Sequence, residues 1–248
     1  MSPSSMNVVR SRWLLLAMGL TLCAQAAAEP VIAVYRGEAG CPGCSEAVEQ
    51  AIHRSHPDDR VVFLGPDEAA DVDSLAVSRY RAYVQPGGGQ DIDAAMEAVG
   101  EGGAAAIRRF VDAGGTYIGL CMGAYLAGVS HFGLLAQDLD AEAGRPGFPV
   151  KDEDDAVIPV TWNGGRQTVY FQDGPYLHAV PRDQGFRVIS RYANGDIAAA
   201  SYRHGKGVVV LSGPHPEASA EWFGAAGIPL SQMPSSDLFK DLLDADRP

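Results

Sequence analysis

A cysteine lies in a glycine-flanked turn near the middle of the chain, in the sequence Gly119-Leu120-Cys121-Met122-Gly123. The apolar run 116–120 leads into it, and a run of small residues, 124–128, follows it. This order predicts a strand, a tight turn and a helix, with Cys121 at the turn. Small residues on either side relieve crowding around a strained backbone, so the thiol is placed to act as a nucleophile. The alternative is a cysteine that serves only as a small buried side chain.

A histidine and a carboxylate follow a second apolar run, 207–211, in the sequence Ser212-Gly213-Pro214-His215-Pro216-Glu217. That run predicts another buried strand. A cysteine, a histidine and a carboxylate that each come just after a buried strand are the parts of a thiol nucleophile, its general base and the acid that orients the base. The pattern therefore indicates catalysis by Cys121, His215 and Glu217.

The first half of the chain alternates between strand-like apolar runs and helical patterns. We predict strands at 31–35, 61–64, 81–85 and 116–120 and helices at 45–53 and 94–113. The second helix is expected to be interrupted around 100–103, where glycines cluster. Alternating strands and helices are typical of an α/β fold with a parallel sheet covered on both faces.

After about residue 134 the pattern changes to short strands joined by turns. Dipeptides that indicate hairpins occur at 163–164, 173–174, 194–195 and 204–205. We expect a mixed sheet in which these strands form an antiparallel extension that ends in the strand before His215. A short helix is predicted within 234–248, over Leu238, Leu242 and Leu243.

The N-terminus has the pattern of a targeting segment. Arg10 and Arg12 precede an apolar stretch, 13–24, that is too short to span a bilayer comfortably. Ala26-Ala27-Ala28 fits a small-residue cleavage site. We therefore expect residues 1–28 to be a cleaved signal peptide and the mature protein to be exported, to a periplasm or outside the cell.

The chain has four cysteines, and export would decide which of them can form disulfides. Attachment of a lipid to Cys23 is an alternative to simple cleavage, although Leu22 is bulkier than such sites usually accept. Otherwise Cys23 leaves with the signal peptide, and the odd number that remains predicts one disulfide and one free thiol. Cys41 and Cys44 are the natural pair because they are close in sequence, and Cys121 would then be free.

The Cys41-Pro42-Gly43-Cys44 segment allows several interpretations. A disulfide that staples the turn, a thiol–disulfide redox function, and a reduced or metal-binding pair all stay open. Loops that leave the C-terminal ends of parallel strands gather at one edge of a sheet. We therefore expect Cys41 and Cys44 to lie near Cys121, where they shape the pocket or exchange with its thiol.

Composition limits the domain count and the partners. Residues 29–248 are long enough for one sizeable core and are expected to form a single domain. The net charge is −12 and no basic patch stands out, so nucleic acid and anionic membrane surfaces are poor partners. The acidic run 152–155 lacks the features of a calcium loop, and the histidines show no metal-ligand spacing with the cysteines. We expect no metal, no cofactor and no stable membrane span, and the oligomeric state stays open.

Three segments together resemble the class I glutamine amidotransferase-like superfamily. They are Gln85-Pro86-Gly87-Gly88-Gly89, the cysteine turn 119–125, and His215-Pro216-Glu217. Within this superfamily, the chain looks most similar to the domain found at the N-terminus of some biotin-protein ligases, from residue 31 to about 222. The resemblance implies a three-layer, flavodoxin-like α/β fold with a mostly parallel sheet, helices on both faces and the antiparallel β-rich extension. Ligase activity is not expected, since the chain ends at Pro248.

The resemblance also implies roles for individual residues. Cys121 would be the nucleophile, His215 the base and Glu217 the group that orients the base. The backbone N–H of Met122 and the glycine loop around Gly88 would form an oxyanion hole. This agrees with physical chemistry, because an oxyanion needs two preorganised donors and glycine lets the backbone approach closely.

Four further residues are candidates for substrate binding. Gly87 and Gly89 belong to the glycine loop, and Tyr176 ends the turn 172–176, a type of loop that often carries specificity. Tyr125 stands four residues after the cysteine, where glutamine-hydrolysing members usually carry a glutamine. This departure puts glutamine in doubt as the substrate and leaves the thiol chemistry unaffected.

The sequence favours an exported cysteine-dependent hydrolase or amidase that acts on a small-molecule or peptide substrate with an amide or related carbonyl. Two alternatives stay open. One is a catalytically silent binding module of the envelope that keeps a relict triad. The other is a thiol–disulfide protein that uses Cys41 and Cys44.

Overall fold

The computed structural model describes Met1 and residues 31–77, 79–181 and 185–245, and nine strands of this part form one sheet. The strands are β1 (Val31–Tyr35), β2 (Arg60–Leu64), β3 (Ala82–Gln85), β4 (Thr116–Leu120), β5 (Ala156–Trp162), β6 (Gly165–Phe171), β7 (Arg187–Tyr192), β8 (Ile197–His204) and β9 (Gly207–Ser212). The helices of the described part are α1 (Cys44–Ser55), α2 (Ile92–Asp112), α3 (Met122–Tyr125), α4 (Ala220–Ala225) and α5 (Leu238–Leu243).

The order of strands across the sheet is β2-β1-β3-β4-β9-β8-β7-β5-β6. The pairs from β2 to β9 are parallel, and those from β9 to β6 are antiparallel. Strands joined by helical crossovers pair in parallel, whereas strands joined by short turns pair antiparallel. The predicted mixed α/β sheet with an antiparallel extension is confirmed.

Helices cover both faces of the parallel strands. Alternate residues of β1 point to opposite faces, as in any strand. Ile32 and Val34 belong to a core cluster with α1 and α5, and Ala33 and Tyr35 belong to another with α2 and α3. The predicted three-layer arrangement is therefore confirmed.

The helix α2 begins two residues earlier than predicted and breaks inside the predicted interruption. The side chain of Asp91 caps it by accepting a hydrogen bond from the N–H of Ala94 at 2.9 Å. At Gly100 the backbone turns to φ 71° and ψ 162°, a conformation that glycine adopts without a side-chain clash. The helical run therefore continues past the break as a second segment.

Three of the four predicted hairpins are confirmed. The turns 163–164, 194–195 and 204–205 join antiparallel neighbours in the sheet. The hairpin at 173–174 is wrong, because β6 lies at the edge of the sheet and the next strand, β7, does not pair with it. Instead, Asp173 adopts a positive φ of 44° and Gly174 packs against the backbone of Gly213. This turn consequently lies beside the carboxyl end of β9, in the middle of the sheet.

The predicted signal peptide and Cys23 lie outside the described residues, so cleavage and export stay predictions. Within the described ranges, no helix is both long and apolar enough to cross a membrane. The same part of the chain holds no group of three or more His, Cys, Asp or Glu side chains arranged to bind a metal ion.

Candidate functional site

The candidate site lies at the carboxyl ends of the parallel strands. The glycine loop 86–89 follows β3, Cys121 follows β4, and His215 comes three residues after β9. Since β3, β4 and β9 are consecutive neighbours in the sheet, their carboxyl ends place these three segments side by side. Residues that are far apart in sequence therefore meet at one edge.

Cys121 lies in a strained elbow between β4 and α3. Its backbone has φ 48° and ψ −105°, an uncommon conformation for a residue with a side chain. A Cβ at Gly119 would collide with the carbonyl oxygen of Gly123, and one at Gly123 would collide with the carbonyl oxygen of Gln85. The two flanking glycines are thus required by close backbone packing, as the sequence predicted. The elbow exposes only 8% of Cys121.

His215 and Glu217 form a buried pair beside the elbow. The Nδ1 atom of His215 lies 2.8 Å from Oε1 of Glu217, and the two side chains are 4% and 0% exposed. The backbone N–H of His215 donates to the carbonyl of Tyr170 at 2.8 Å, which joins the segment after β9 to the end of β6. One hydrogen bond from the backbone of His215 and one at its ring therefore fix the position of the imidazole.

The electrostatic environment favours the protonated form of His215. Burial by itself lowers the pKa of its imidazole, because a charged ring loses solvation. The negative charge of Glu217, followed by charge and hydrogen-bond interactions with Cys121, outweighs burial and raises the pKa to about 10. His215 therefore faces the thiol as a proton donor at neutral pH.

The glycine loop and the start of α3 meet beside the elbow. Met122 is the first residue of α3, so its N–H has no acceptor within the helix. A Cβ on Gly88 would lie 2.9 Å from Cγ of Met122 and 2.8 Å from the carbonyl oxygen of Ala39. The glycine loop therefore packs against the start of α3 at a distance that a side chain would prevent. The structure thus brings together Gly88 and Met122, the two residues predicted for the oxyanion hole.

Gly87 lies between the two catalytic candidates. A Cβ at this position would stand 2.7 Å from Cε1 of His215 and 3.8 Å from Cβ of Cys121. Real Cβ atoms do not approach that closely, so a methyl group at Gly87 would displace the imidazole.

We therefore expect Gly87→Ala to lower kcat/KM by about a hundredfold, the cost of misplacing a reacting group by about 1 Å. Gly102→Ala is the matched control, because nothing lies within 4 Å of a Cβ built there. Steady-state kinetics and thermal unfolding of both variants test this prediction. Equal activity of Gly87→Ala and the wild type would contradict it.

Known proteins share both sequence and fold with this chain. Residues 77–146 match the family described as biotin-protein ligase, N terminal. A biotin-protein ligase of Schizosaccharomyces pombe is 34% identical over 140 residues, which are 46% of this chain and 22% of the ligase. The chain thus spans about a fifth of that relative.

Solved structures match over most of the chain. A glutamine amidotransferase from Thermotoga maritima superposes with a TM-score of 0.61 at 14% identity, covering 89% of this chain and 99% of that one. A Thermoplasma acidophilum protein described as a candidate component of GMP synthase gives a TM-score of 0.52 at 15% identity, covering 88% and 94%. This chain has a glutamine amidotransferase-like fold. The resemblance predicted from the motifs is confirmed, together with the flavodoxin-like arrangement of the sheet.

In this amidotransferase-like fold, the turn after β6 covers the thiol. The thiol of Cys121 donates to the carbonyl of Gln172 at 3.4 Å, and the hydroxyl of Tyr125 donates to the carbonyl of Asp173 at 3.0 Å. Tyr125 therefore lies beside the thiol and fastens the turn above it.

Tyr176, the predicted residue at the end of the 172–176 turn, contacts Asp140, which lines a cavity at the thiol. Its hydroxyl donates to Asp140 at 3.2 Å, and the Arg145 guanidinium stacks on its ring at 3.8 Å from the centroid. Tyr176 thus supports Asp140 from behind, whereas Gly89 and Asp140 line a cavity at the thiol.

Cys41 and Cys44 are paired as a disulfide, with their Cα atoms 5.2 Å apart, and Cys121 is free. The N–H of Cys41 donates to the carbonyl of Gly87 at 2.9 Å. The disulfide therefore braces the glycine loop, and the predicted position near the site is confirmed. The two side chains thus pair with each other beside the glycine loop.

Two cavities flank the catalytic candidates. The Cys121 cavity has a volume of about 260 Å³ and is lined by Gly89, Gln90, Cys121, Tyr125, Asp140 and Asp173. The His215 cavity has a volume of about 430 Å³ and is lined by Cys41, Gly88, Tyr170, His215 and Trp222. The thiol and the imidazole thus face different cavities.

Trp222 is a site residue that the sequence analysis missed. Its ring lies 5.3 Å from that of His215 and 5.6 Å from that of Tyr170, measured between centroids. The only available signal was a tryptophan shortly after the His-Pro-Glu motif. Neither its helix nor the motif's local sequence indicates that the indole packs on the imidazole, because this contact depends on how α4 docks against β6.

Glu142 is a buried carboxyl behind the Cys121 cavity. Asn194 donates to its Oε1 atom at 2.7 Å, while Oε2 has no hydrogen-bond partner among the described residues and lies 3.5 Å from Nε of Arg145. Burial raises the pKa of Glu142 to about 7, although the hydrogen bond from Asn194 opposes this. The N–H of Glu142 donates to the carbonyl of Gly174, so the residue ties the cavity wall to the turn over the thiol.

We expect Glu142→Gln to stabilise the protein at about pH 8 and to leave its stability at about pH 4.5 nearly unchanged. The folded state holds the Glu142 proton more tightly than the unfolded state, whose pKa is 4.5. Stability therefore falls as pH rises from about 4.5 to about 7, by at most about 3 kcal/mol. Thermal unfolding against pH measures this, with the exposed Asp58→Asn as control. An equal change at both pH values would be inconsistent with it.

Proposed function

We propose that this chain is an exported cysteine hydrolase of the amidase type, with Cys121 as nucleophile, His215 as base and acid, and Glu217 as the group that orients His215. The observation that carries the proposal is the placement of His215. Its buried ring contacts a carboxylate on one side and faces the only free thiol of the described residues on the other. A buried imidazole between a carboxylate and a thiol is the arrangement that activates a cysteine nucleophile.

The proposed reaction has two steps. Cys121 reacts as a thiolate whose proton is held by His215, and its sulfur attacks the carbonyl carbon of an amide. The carbonyl oxygen, which gains the negative charge, accepts hydrogen bonds from the N–H groups of Met122 and the glycine loop at Gly88. His215 gives its proton to the leaving amine nitrogen as the C–N bond breaks, which leaves a thioester on Cys121. His215 then takes a proton from water, which attacks the thioester and releases the acid and the thiolate.

The proposed substrate is a small molecule or a peptide that carries an amide or related carbonyl. Glutamine is disfavoured because Tyr125 stands beside the thiol and holds the 172–173 turn over it. The charged side chains that line the Cys121 cavity, Asp140 and Asp173, are both carboxylates, which disfavours an acyl group with a negative charge nearby.

Acyl transfer from 4-nitrophenyl acetate tests the proposal without knowledge of the substrate. We expect a rapid release of nitrophenolate and one acetyl group on Cys121, located by peptide mass mapping. His215→Ala is expected to abolish the rapid phase. A silent binding module would instead acetylate Cys121 no faster than a free cysteine, and that result would refute the enzyme.

A thiol–disulfide function is the second candidate, because the Cys41–Cys44 disulfide lines the His215 cavity. Cys44 is 1% exposed, so attack by an external thiol would have to occur at the more exposed Cys41. Insulin reduction by the wild type and by Cys44→Ser distinguishes this function. Activity in the wild type that disappears in Cys44→Ser would support it.

A further inference from the structure

The two catalytic candidates, Cys121 and His215, line different cavities. Cys121 lines the smaller cavity, about 260 Å³, and His215 lines the larger one, about 430 Å³. The turn 172–173 borders both cavities, since Gln172 lines the His215 cavity and Asp173 lines the Cys121 cavity. A substrate whose carbonyl lies at the thiol can therefore extend in two directions.

The direction of each half of the substrate follows from the proton transfer. The leaving nitrogen must receive its proton from His215, so the amine portion lies on the His215 side of the carbonyl. Ammonia would need about the volume of one water molecule, roughly 30 Å³. The His215 cavity is more than ten times as large and falls in the range that holds organic ligands.

We propose that the substrate is a secondary amide whose bulky amine portion occupies the His215 cavity, rather than a primary carboxamide that releases ammonia. This inference rests on the proposed function and adds the substrate class. The rings of Trp222 and Tyr170 form an apolar wall beside His215, against which the amine portion packs. Trp222 is consequently a specificity-determining residue.

The charges around the His215 cavity restrict the amine portion further. Apart from His215, the charged side chains that line it are Glu46, Asp155 and Glu221. Glu46 pairs with Arg36 at 3.3 Å, whereas Asp155 and Glu221 are exposed at the rim. Three carboxylates disfavour an anionic group, so the amine portion is neutral or positively charged.

The reverse of the leaving step provides a direct test. When a thioester on Cys121 is resolved by an amine, the amine nitrogen forms the new C–N bond and the C–S bond breaks. His215 takes the proton from the amine, and the sulfur leaves as a thiolate. By microscopic reversibility, the attacking amine occupies the place of the leaving amine, so its preferred size reports the cavity.

The experiment acetylates the protein with 4-nitrophenyl acetate and adds benzylamine, methylamine or 4-(aminomethyl)benzoate at equal free-base concentrations. We expect benzylamine to release the acetyl group as N-benzylacetamide about tenfold faster than methylamine or more, because its ring is buried in the cavity. The benzoate, which adds a negatively charged carboxylate to the ring of benzylamine, is expected to react more slowly than benzylamine.

Two variants connect the preference to the cavity. Ala225→Trp fills it from α4, and Trp222→Ala removes its wall, so both are expected to reduce the advantage of benzylamine. Ala113→Trp adds the same side chain at an exposed position before β4, at the opposite edge of the sheet, and should keep the advantage. An equal rate for benzylamine and methylamine, or an advantage that survives in both cavity variants, would overturn the inference alone. Failure to acetylate Cys121 at all would overturn the proposed function as well.

Discussion

Cys121→Ala abolishes acyl transfer and amide turnover, and this is the largest effect that we expect from any single substitution. The side chain supplies the sulfur that forms the thioester, and the disulfide leaves no other free thiol among the described residues. Removing the nucleophile of a catalytic triad leaves only the acceleration that binding and the oxyanion hole provide. Nitrophenolate release and mass mapping of the acetyl group measure the loss.

The fold should survive this substitution. Alanine keeps the backbone conformation of the elbow, and the lost contacts are the weak hydrogen bond from the thiol to the carbonyl of Gln172 at 3.4 Å and the interaction with His215. We therefore expect the free energy of unfolding to change by less than about 1 kcal/mol. Circular dichroism and thermal unfolding provide the control. A folded Cys121→Ala protein that still turns over an amide would exclude the mechanism.

His215→Ala is expected to lower the rate of Cys121 acylation by about 10²- to 10⁴-fold, the usual contribution of a general acid–base. His53→Ala, on an exposed position of α1, is the matched control. A smaller loss than in Gly87→Ala would contradict the assigned role, because displacing the imidazole cannot cost more than removing it.

The carboxylate of Glu217 should control the titration of His215. The wild-type imidazole is expected to keep its proton through neutral pH, since its pKa is raised to about 10. In Glu217→Gln the neutral amide no longer stabilises the positive charge, so the pKa of His215 should fall and the proton should leave at lower pH. NMR titration of the His215 ring measures the shift. An unchanged titration in Glu217→Gln would show that another group holds the proton.

The cysteine elbow could be predicted in detail because its causes are local. The strand before Cys121 has the predicted bounds, and Gly119 is required by the carbonyl oxygen of Gly123 within the same turn. His215 and Glu217 are likewise close in sequence, so their hydrogen bond needs little more than the turn between them. Such features depend on neighbours a few residues away and are visible in the pattern of residues.

Contacts between distant segments were not predictable in the same way. The 173–174 dipeptide has the composition of a hairpin turn, yet its chain crosses over the thiol, because β6 is an edge strand and Gly174 packs on Gly213. Trp222 reaches His215 only because α4 docks beside β6. Local propensity specifies that a turn or a helix forms, while the docking of these elements is set by the packing of the whole core.

The sequence by itself determined the α/β alternation, the elbow at Cys121, and the closeness of His215 to Glu217 and of Cys41 to Cys44. These depend on periodicity, on glycine and on short separations along the chain. Only the tertiary structure decided that Gly87 packs against both Cys121 and His215, that Tyr125 fastens a turn over the thiol, and that the two catalytic candidates line different cavities. A cavity is the space left between elements that pack from distant parts of the chain, so its size and lining have no local pattern in the sequence.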